Sequence, residues 1–539
     1  MFKKITAAIL CLSLILAFSA CSSKSPKNAN KKIHYQLSAE PKTLDPQIAS
    51  DSPSLTVISA LFEGLVRLDK DNKPYPGVAE SWQSSENDTV FTFTLRKDAK
   101  WSDKDNTPVT ANDFVFAFQR ALAPQTNSPT CSPMFCIQNA KEVNSGAAAP
   151  NQLGVTAPNA QTLVVRLKHP YPDFPSLTAS AVFMPCNQKL FEATHGRYGL
   201  ERDYTRGNGP FVIDGKYGWD HDKYINLVRS DTYKGQNTPL PVSVKFTIEN
   251  EDNKITDQIS ALTAGTVDAI QIPVNRVEDA KKSGCAVKSF EDTIWGLCFN
   301  TQSEVMKNLN IRKAFIQSLN RDQLLKNIPQ NTNAAENIIP PLTTFMKKNY
   351  RSLVNNHPYY LGYDDNAPTT LNRGLRELSK SELGNISVIC LDDPQVKLMV
   401  NDMIAAWNTK FDHYFNMEPL SEEDLAERIK SEDYQIALCP VEPSTDGPLS
   451  VLSIFKSESK NNPACLSDST FDKLVENAEN SYGIEAAQVF AKAEKRLQDI
   501  AVFYPLYYGK HYFASGKGVT GIVFQPYGGG MDFIMTGKE

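Results

Sequence analysis

The 539 residues include only seven histidines and ten cysteines, and neither type clusters. No Cys-x-x-Cys occurs and no two histidines stand at metal-ligand spacing, which argues against a zinc site. No Gly-x-Ser-x-Gly, His-Glu-x-x-His or Walker loop is present, so the common nucleophile, metalloprotease and nucleotide-handling constellations are not written into the chain. Gly528-Gly529-Gly530 lacks the strand–loop–helix context of a phosphate cradle. Asp69-Lys70-Asp71 and Asp103-Lys104-Asp105 lack the Gly and later Glu of a calcium loop and read as solvated turns. The net charge is -5, with no basic stripe interleaved with aromatics, which argues against nucleic acid. No internal repeat occurs, and past residue 20 no run is long and apolar enough to span a bilayer. The expectation is a protein without metal, cofactor or catalytic group.

What is present starts at the N-terminus. Lys3 and Lys4 precede an apolar run from Ile5 to Phe18, then Ser19-Ala20-Cys21, which reads as a secretory signal peptide over residues 1–20. Ser-Ala-Cys resembles a bacterial lipobox, whose cysteine sulfur takes a diacylglycerol and becomes the new N-terminus; Phe18 departs from the Leu, Val or Ile usual there. Residues 21–32 are polar, carry Pro and Asn, and read as a flexible tether. The chain is therefore expected at the cell membrane, lipid-anchored rather than embedded, on the extracellular or periplasmic side. A body this long, 41% hydrophobic and 22% charged, exceeds one ordinary core and calls for two or three lobes. With Cys11 lost and Cys21 lipidated, eight cysteines remain; Cys298, Cys390 and Cys439 sit in strand-like apolar runs, and Cys131 with Cys136 is the local pair considered for a disulfide.

Periodicity gives local structure. From Val90 to Leu95, Phe91, Phe93 and Leu95 alternate with Thr92 and Thr94, a half-buried strand. Thr110 fits a helix N-cap with Asp113 three residues on, and Phe114, Phe118 and Leu122 form one helical stripe before Pro124. Further on, 386–391 reads as a strand, Val396 to Trp407 as a helix, and Phe415 with Met417 as a short strand. Leu425 with Ile429 follow as a helix and 434–438 as a strand. That alternation predicts an α/β open parallel sheet.

Five pieces stand in order: Glu40-Pro41-Lys42-Thr43-Leu44-Asp45-Pro46; Leu61-Phe62-Glu63-Gly64-Leu65; Pro76-Gly77-Val78-Ala79-Glu80-Ser81-Trp82; Thr92 to Asp103; and Pro108-Val109-Thr110-Ala111-Asn112-Asp113-Phe114. Gly207-Asn208-Gly209-Pro210-Phe211 and the Ile311-Arg312-Lys313-Ala314-Phe315 region add to them. The series resembles the extracellular solute-binding proteins of oligopeptide ABC importers. The resemblance implies a periplasmic-binding-protein-like α/β fold, with two main lobes around a ligand cleft and an inserted extra domain. Lobe I would hold residues 33–62, 206–294 and 507–539, lobe II 63–205, and lobe III 295–506. Crossing strands are expected near Trp295–Phe299 and Pro505–Tyr508, with hinge closure over a ligand.

The same resemblance implies where the ligand lies. Family members often present a strand reading Trp-x-[Ala/Gly]-Asp-Tyr-x-[Asp/Glu]-Pro, whose aspartate holds a peptide ammonium and whose backbone pairs the peptide. The matching stretch, Ala437 to Pro448, has lost the tryptophan; Glu442 falls at or near the aspartate and Asp446 stands in the later acidic position. Pro440 and Pro443 remove N–H donors, which leaves open altered pairing or another ligand. Expected cleft residues are Ser50, Asp51, Ser52, Trp295, Cys439, Pro440, Val441, Glu442, Asp446 and Tyr508; Trp295 and Tyr508 read equally as packing between lobes, and Tyr359 and Tyr360 lie further off. The expected partners are an oligopeptide, permease subunits of an ABC importer and the membrane through the anchor, with the chain a monomer. A metal chelate, a sugar, or a surface role in signalling or adhesion are the competing functions. The anchor has a direct test: Cys21→Ala should move the protein out of the membrane fraction or leave it unprocessed, and persistence in membranes at high salt with unchanged processing would refute it.

Overall fold

A computed structural model describes residues 31–354, 361–443, 445–524 and 530–539. The expected signal peptide, Cys21 and the tether up to residue 30 lie outside the described residues, as do Tyr359, Tyr360, Ser444, Gly528 and Gly529. The elements that position the cleft run in this order: β1 (Lys32–Leu37), α1 (Ser52–Leu61), β2 (Ala79–Ser85), β3 (Val90–Leu95), α2 (Ala111–Leu122), β4 (Val155–Asn159) and β5 (Thr162–Arg166). Then come β6 (Phe211–Ile213), β7 (Tyr224–Arg229), β8 (Ser243–Ile248), β9 (Ala269–Ile272) and β10 (Ala286–Phe299). The last third holds β11 (Ser387–Leu391), α3 (Pro394–Phe411), β12 (Asn416–Leu420), α4 (Glu422–Lys430), β13 (Ile436–Val441), α5 (Ser469–Glu479), α6 (Gly483–Asp499) and β14 (Phe503–Ser515). Lys32 already pairs with Ser243, so the folded body starts one residue inside the expected tether.

One sheet runs through the molecule in the order β12-β11-β13-β10-β14-β9-β1-β8-β7-β6. At one end β11, β12 and β13 are parallel, as the strand–helix alternation of 386–438 predicts. The side chains of β11 and β13 bury on both faces, while the edge strand β12 stays partly exposed. Ile436 and Leu438 face the α3 stripe of Val396, Met399, Val400, Met403 and Trp407, while Ala437 and Cys439 face α5 and α6. At the other end β1 lies parallel to β8. The inserted segment forms its own sheet, β2-β3-β5-β4, with Phe91, Phe93 and Leu95 buried. Asp113 closes the start of α2, its Oδ2 accepting from the Thr110 N–H at 2.7 Å and the Thr110 hydroxyl at 2.9 Å.

The inserted sheet and β1, β7 and β8 share one hydrophobic core, whereas the end carrying α3, α5 and α6 has two cores of its own. The two halves meet through β10 and β14, which pair antiparallel from Ala286↔Ser515 to Cys298↔Phe503. The register slips between Phe290 and Thr293, where Glu291 and Asp292 together oppose Lys510, a bulge in the ladder. A second slip follows between Trp295 and Gly296.

Several motif residues converge where the inserted segment meets the rest of its core. The Glu63 carboxylate accepts from Arg67 Nε at 3.2 Å, Arg96 Nη2 at 2.7 Å and the Tyr233 hydroxyl. Arg67 also reaches Asp532 at 2.8 Å, and Asn208 holds the Glu63 backbone through both its amide atoms. Gly207 has no room for a side chain, because a Cβ would stand 1.8 Å from the Leu61 carbonyl oxygen. All eight described cysteines are free thiols. The disulfide considered between Cys131 and Cys136 is not formed: the Cys136 thiol donates instead to the Pro133 carbonyl at 3.3 Å. Among the described residues no helix is long and apolar enough to cross a membrane.

Removing Glu63 would take a carboxylate partner from two enclosed guanidinium groups, leaving Arg67 with Asp532 and Arg96 with Asp98. Glu63→Ala is expected to lower stability by about 3–5 kcal/mol, measured by chemical denaturation. A loss within about 0.5 kcal/mol, the range of a surface substitution, would show the network to be structurally idle.

Candidate functional site

Between the half that carries β1 and the inserted sheet and the half that carries α3, α5 and α6 lies a cavity of about 3200 Å³. Small-molecule sites occupy about 300–1,000 Å³, so this space suits an extended or multi-unit ligand. Its floor is the crossing pair, with Trp295 and Thr293 from β10 and Gly509 and His511 from β14. One half adds Pro440, Val441 and Glu442 at the end of β13, then Thr445 and Asp446. The other adds Ser50, Asp51 and Ser52 at the start of α1, and loops beside the inserted sheet that include Ser128, Cys131 and Tyr171.

Each wall has a local cause. A buried ion pair fixes the 45–47 turn: Arg120 of α2 donates to both Asp45 carboxylate oxygens, at 2.8 and 2.5 Å, and to Gln47. The chain then enters α1, and Asp51 caps it by accepting from the Ser54 N–H at 2.9 Å and the Ser54 hydroxyl at 2.8 Å. Asp51 thus lines the cavity with its carboxylate already engaged. Trp295 stacks on Tyr507 with centroids 5.8 Å apart and planes 6° from parallel. It reaches that position over Gly509, where a Cβ would lie 2.9 Å from Trp295 Cδ1.

The end of β13 offers backbone as well as side chains. The Asn300 N–H donates to the Gln435 carbonyl at 3.0 Å, and the β10–β13 register pairs Ile294 with Val441. Hydrogen-bonding direction alternates along an antiparallel ladder. Residues 437, 439 and 441 therefore bond toward β10, while 436, 438, 440 and 442 point to the other side. There β11 pairs only as far as Cys390↔Leu438. Beyond it, the edge presents the Pro440 carbonyl and the Glu442 N–H and carbonyl. Of the two prolines expected to strip donors from this edge, Pro440 lies within β13 and does so, while Pro443 follows the strand's end.

The bulge gathers charge beside that edge. His511 Nδ1 lies 2.9 Å from Asp292 Oδ1, and Lys510 Nζ lies 2.8 Å from Glu291 Oε1. The Asp292 hydrogen bond, with the Asp292, Glu442 and Glu422 charges, raises the His511 pKa against an opposing desolvation. Glu442 is exposed to the cavity solvent but enclosed by the cleft, and this desolvation raises its pKa, with Asp292 and Glu422 adding to the effect and His511 opposing it. Asp446 is raised by desolvation too, although Thr344 donates a hydrogen bond to it.

Of the residues expected at the cleft, Ser50, Asp51, Ser52, Trp295, Pro440, Val441, Glu442 and Asp446 line one cavity. Two do not. Cys439 is fully buried among the side chains facing α5 and α6, because its neighbours Leu438 and Pro440 take the opposite face of the strand. Tyr508 is also buried in that core; its hydroxyl donates to the Asn337 carbonyl at 3.0 Å, which makes it packing. The sequence reading missed His511, Lys510 and Asp292, and the lobe II loops. A charged pair interrupting the aromatic run from Phe503 to Phe513 was the available signal for the first two.

A model of the family described as bacterial extracellular solute-binding proteins, family 5 Middle, matches residues 73–463. The oligopeptide-binding protein OppA of Bacillus subtilis (strain 168) is 27% identical over 548 residues, covering 97% of this chain and 97% of that protein. Among solved structures, the substrate-binding domain of an oligopeptide ABC transporter from Bacillus anthracis str. Ames matches with a TM-score of 0.78 at 25% identity. That match covers 95% of this chain and 100% of that one. Listeria monocytogenes OppA bound to peptide has the same fold, with a TM-score of 0.78 at 23% identity over 94% of this chain and 99% of that one.

The Asp292–His511 pair carries a pH signature. Its folded pKa lies above the ordinary 6.5, so the stability it contributes is complete below that value and is lost as pH rises through the folded one. Wild type should therefore melt about a degree above His511→Gln near pH 6, with the gap closing by about pH 9. Thermal unfolding across that range checks it; a gap that widens with pH would reverse the assignment.

Proposed function

The chain belongs to the bacterial extracellular solute-binding proteins of family 5, and from that premise we propose that it captures oligopeptides and delivers them to an ABC importer. The observation that carries this reading is the free end of β13, where Glu442 stands beside an unpaired strand edge inside a cavity far larger than a small-molecule site. A peptide always offers amide groups and a terminal ammonium. The edge supplies two acceptors and one donor for the amides. Glu442 supplies a carboxylate for the ammonium, with Asp446 as the second choice. Ser50, Ser52 and Trp295 would flank the peptide, and water would fill the space its side chains leave.

The finer parts of the proposal rest on sequence. Diacylglyceryl modification of Cys21 would hold the protein at the membrane, residues 21–31 would let it reach permease subunits, and it would act as a monomer without a catalytic group. Lobes I and III, as bounded by the crossing strands, would close over the ligand. A second reading, a same-fold receptor for a non-peptide solute such as a chelate or a sugar, has one observation in its favour: Pro440 withdraws a donor from the edge a peptide would use.

The deciding experiment is calorimetry on four combinations, wild type and Glu442→Gln, each with tetra-alanine and with N-acetyl tetra-alanine. A charge-assisted hydrogen bond contributes roughly 1.5–3 kcal/mol, so Glu442→Gln should weaken the free-amine peptide by about tenfold to a hundredfold. It should barely affect the acetylated one. Because burial raises the Glu442 pKa above 4.5, affinity for the free-amine peptide should fall as pH drops through that raised value. Equal losses for both peptides, or none, would remove Glu442 as anchor. The same result at Asp446 would turn the assignment to the non-peptide reading.

A further inference from the structure

Lobe II does more than wall the cavity. It shares its core with lobe I and none with lobe III. Yet it touches lobe III through side chains drawn from three separate segments of that lobe. Lys141 forms an ion pair with Glu479, at the end of α5. One residue on, the Asn480 side chain meets His169 Nε2 at 3.4 Å. From the loop after 455, Lys460 Nζ donates to Asn127 Oδ1 at 2.6 Å. From the turn at 345–348, the Lys347 N–H donates to Asp173 Oδ2 at 2.8 Å, with its Nζ 3.9 Å from the same carboxylate.

These contacts differ from the packing inside either half. They are polar, so separating them exposes groups that water can satisfy at once. They also differ among themselves. Lys347 is 70% exposed, whereas the Glu479 side chain is only 10% exposed and Lys141 29%. The Lys141–Glu479 pair is therefore the partly desolvated one, where an attraction outweighs that of a surface pair. Lys141 Nζ also lies 5.8 Å from the Phe135 ring, which fixes its stem. Lys168 with Glu142, and Lys456 with Glu458, complete the charges around it.

We propose that lobe II is the catch of the cleft: the Lys141–Glu479 pair, backed by Lys347 on Asp173 and Lys460 on Asn127, holds the two halves together at a rim the crossing strands do not form. The hinge alone leaves the open and closed states free to exchange. The catch biases that exchange toward closure before any ligand arrives, and a ligand then binds a receptor already partly committed.

The test contains no ligand, so it stands apart from the peptide reading. Hydrogen–deuterium exchange is followed on the full-length protein after carried ligand is dialysed away. Glu479→Gln and Lys141→Gln should each speed exchange of the amides in 127–145 and 456–467 by about threefold or more, because exchange there follows the open population. The exchanged pair, Lys141→Glu with Glu479→Lys, should return toward wild type. Raising NaCl from about 20 to about 500 mM should speed wild type more than Glu479→Gln. Asp173→Asn provides a second site if the Glu479 variants do not fold, with the same direction expected. Unchanged exchange in the single variants, no rescue in the exchanged pair, or equal salt responses would each overturn the proposal.

Discussion

Two strands carry the mechanics of this molecule. β10 and β14 pair with each other along almost their whole length, and each lends one end to either half of the sheet. Their outer neighbours differ: β13 flanks β10 in lobe III, and β9 flanks β14 in lobe I. A ladder of this kind resists sliding, because a one-residue slip would turn every side chain to the wrong face. It tolerates bending where it is already interrupted. The bulge at Glu291 and Asp292 is such an interruption, and it lies in the cavity floor. The interruption in the ladder and the charges nearest the proposed anchor are therefore the same few residues.

The rest of the architecture makes one half stiff. Glu63 gathers Arg67, Arg96 and Tyr233 and, through Arg67, Asp532. Apart from Glu63 and Arg67 these residues are far apart in sequence, and ionic groups this deeply buried hold their place because leaving any one unpaired is costly. Asp45 and Arg120 repeat the device between the first loop of lobe I and a helix of lobe II. The inserted sheet is thereby tied into the same core as β1, β7 and β8.

Much of this was legible beforehand. The alternation of Phe91, Phe93 and Leu95 fixed a strand, and Thr110 with Asp113 fixed a helix start, because both signals are local. Strand–helix alternation from 386 to 438 predicts parallel strands, since antiparallel neighbours do not need crossover helices. Glu63, Arg96 and Asn208 stand in the sequence only as members of separate motif pieces; their meeting in one buried network needed three dimensions. The cleft was harder. Cys439 and Pro440 are adjacent, and in a sheet covered on both faces apolar character does not say which neighbour looks into a cavity. The same ambiguity hid Tyr508, whose hydroxyl finds a backbone partner that sequence gives no hint of. The charges at the bulge were hidden because a bulge is a property of pairing and has no local signature in β10.

Pro440 has a consequence for the empty protein. With the cleft vacant, the end of β13 is a bare strand edge, and such edges recruit the edges of other copies. A proline there withholds one of the donors that a foreign strand would need, and the acidic Glu442 beside it discourages close approach by an identical, like-charged edge. The proline that weakens ladder formation with a bound ligand would also keep empty molecules from pairing edge to edge through the end of β13.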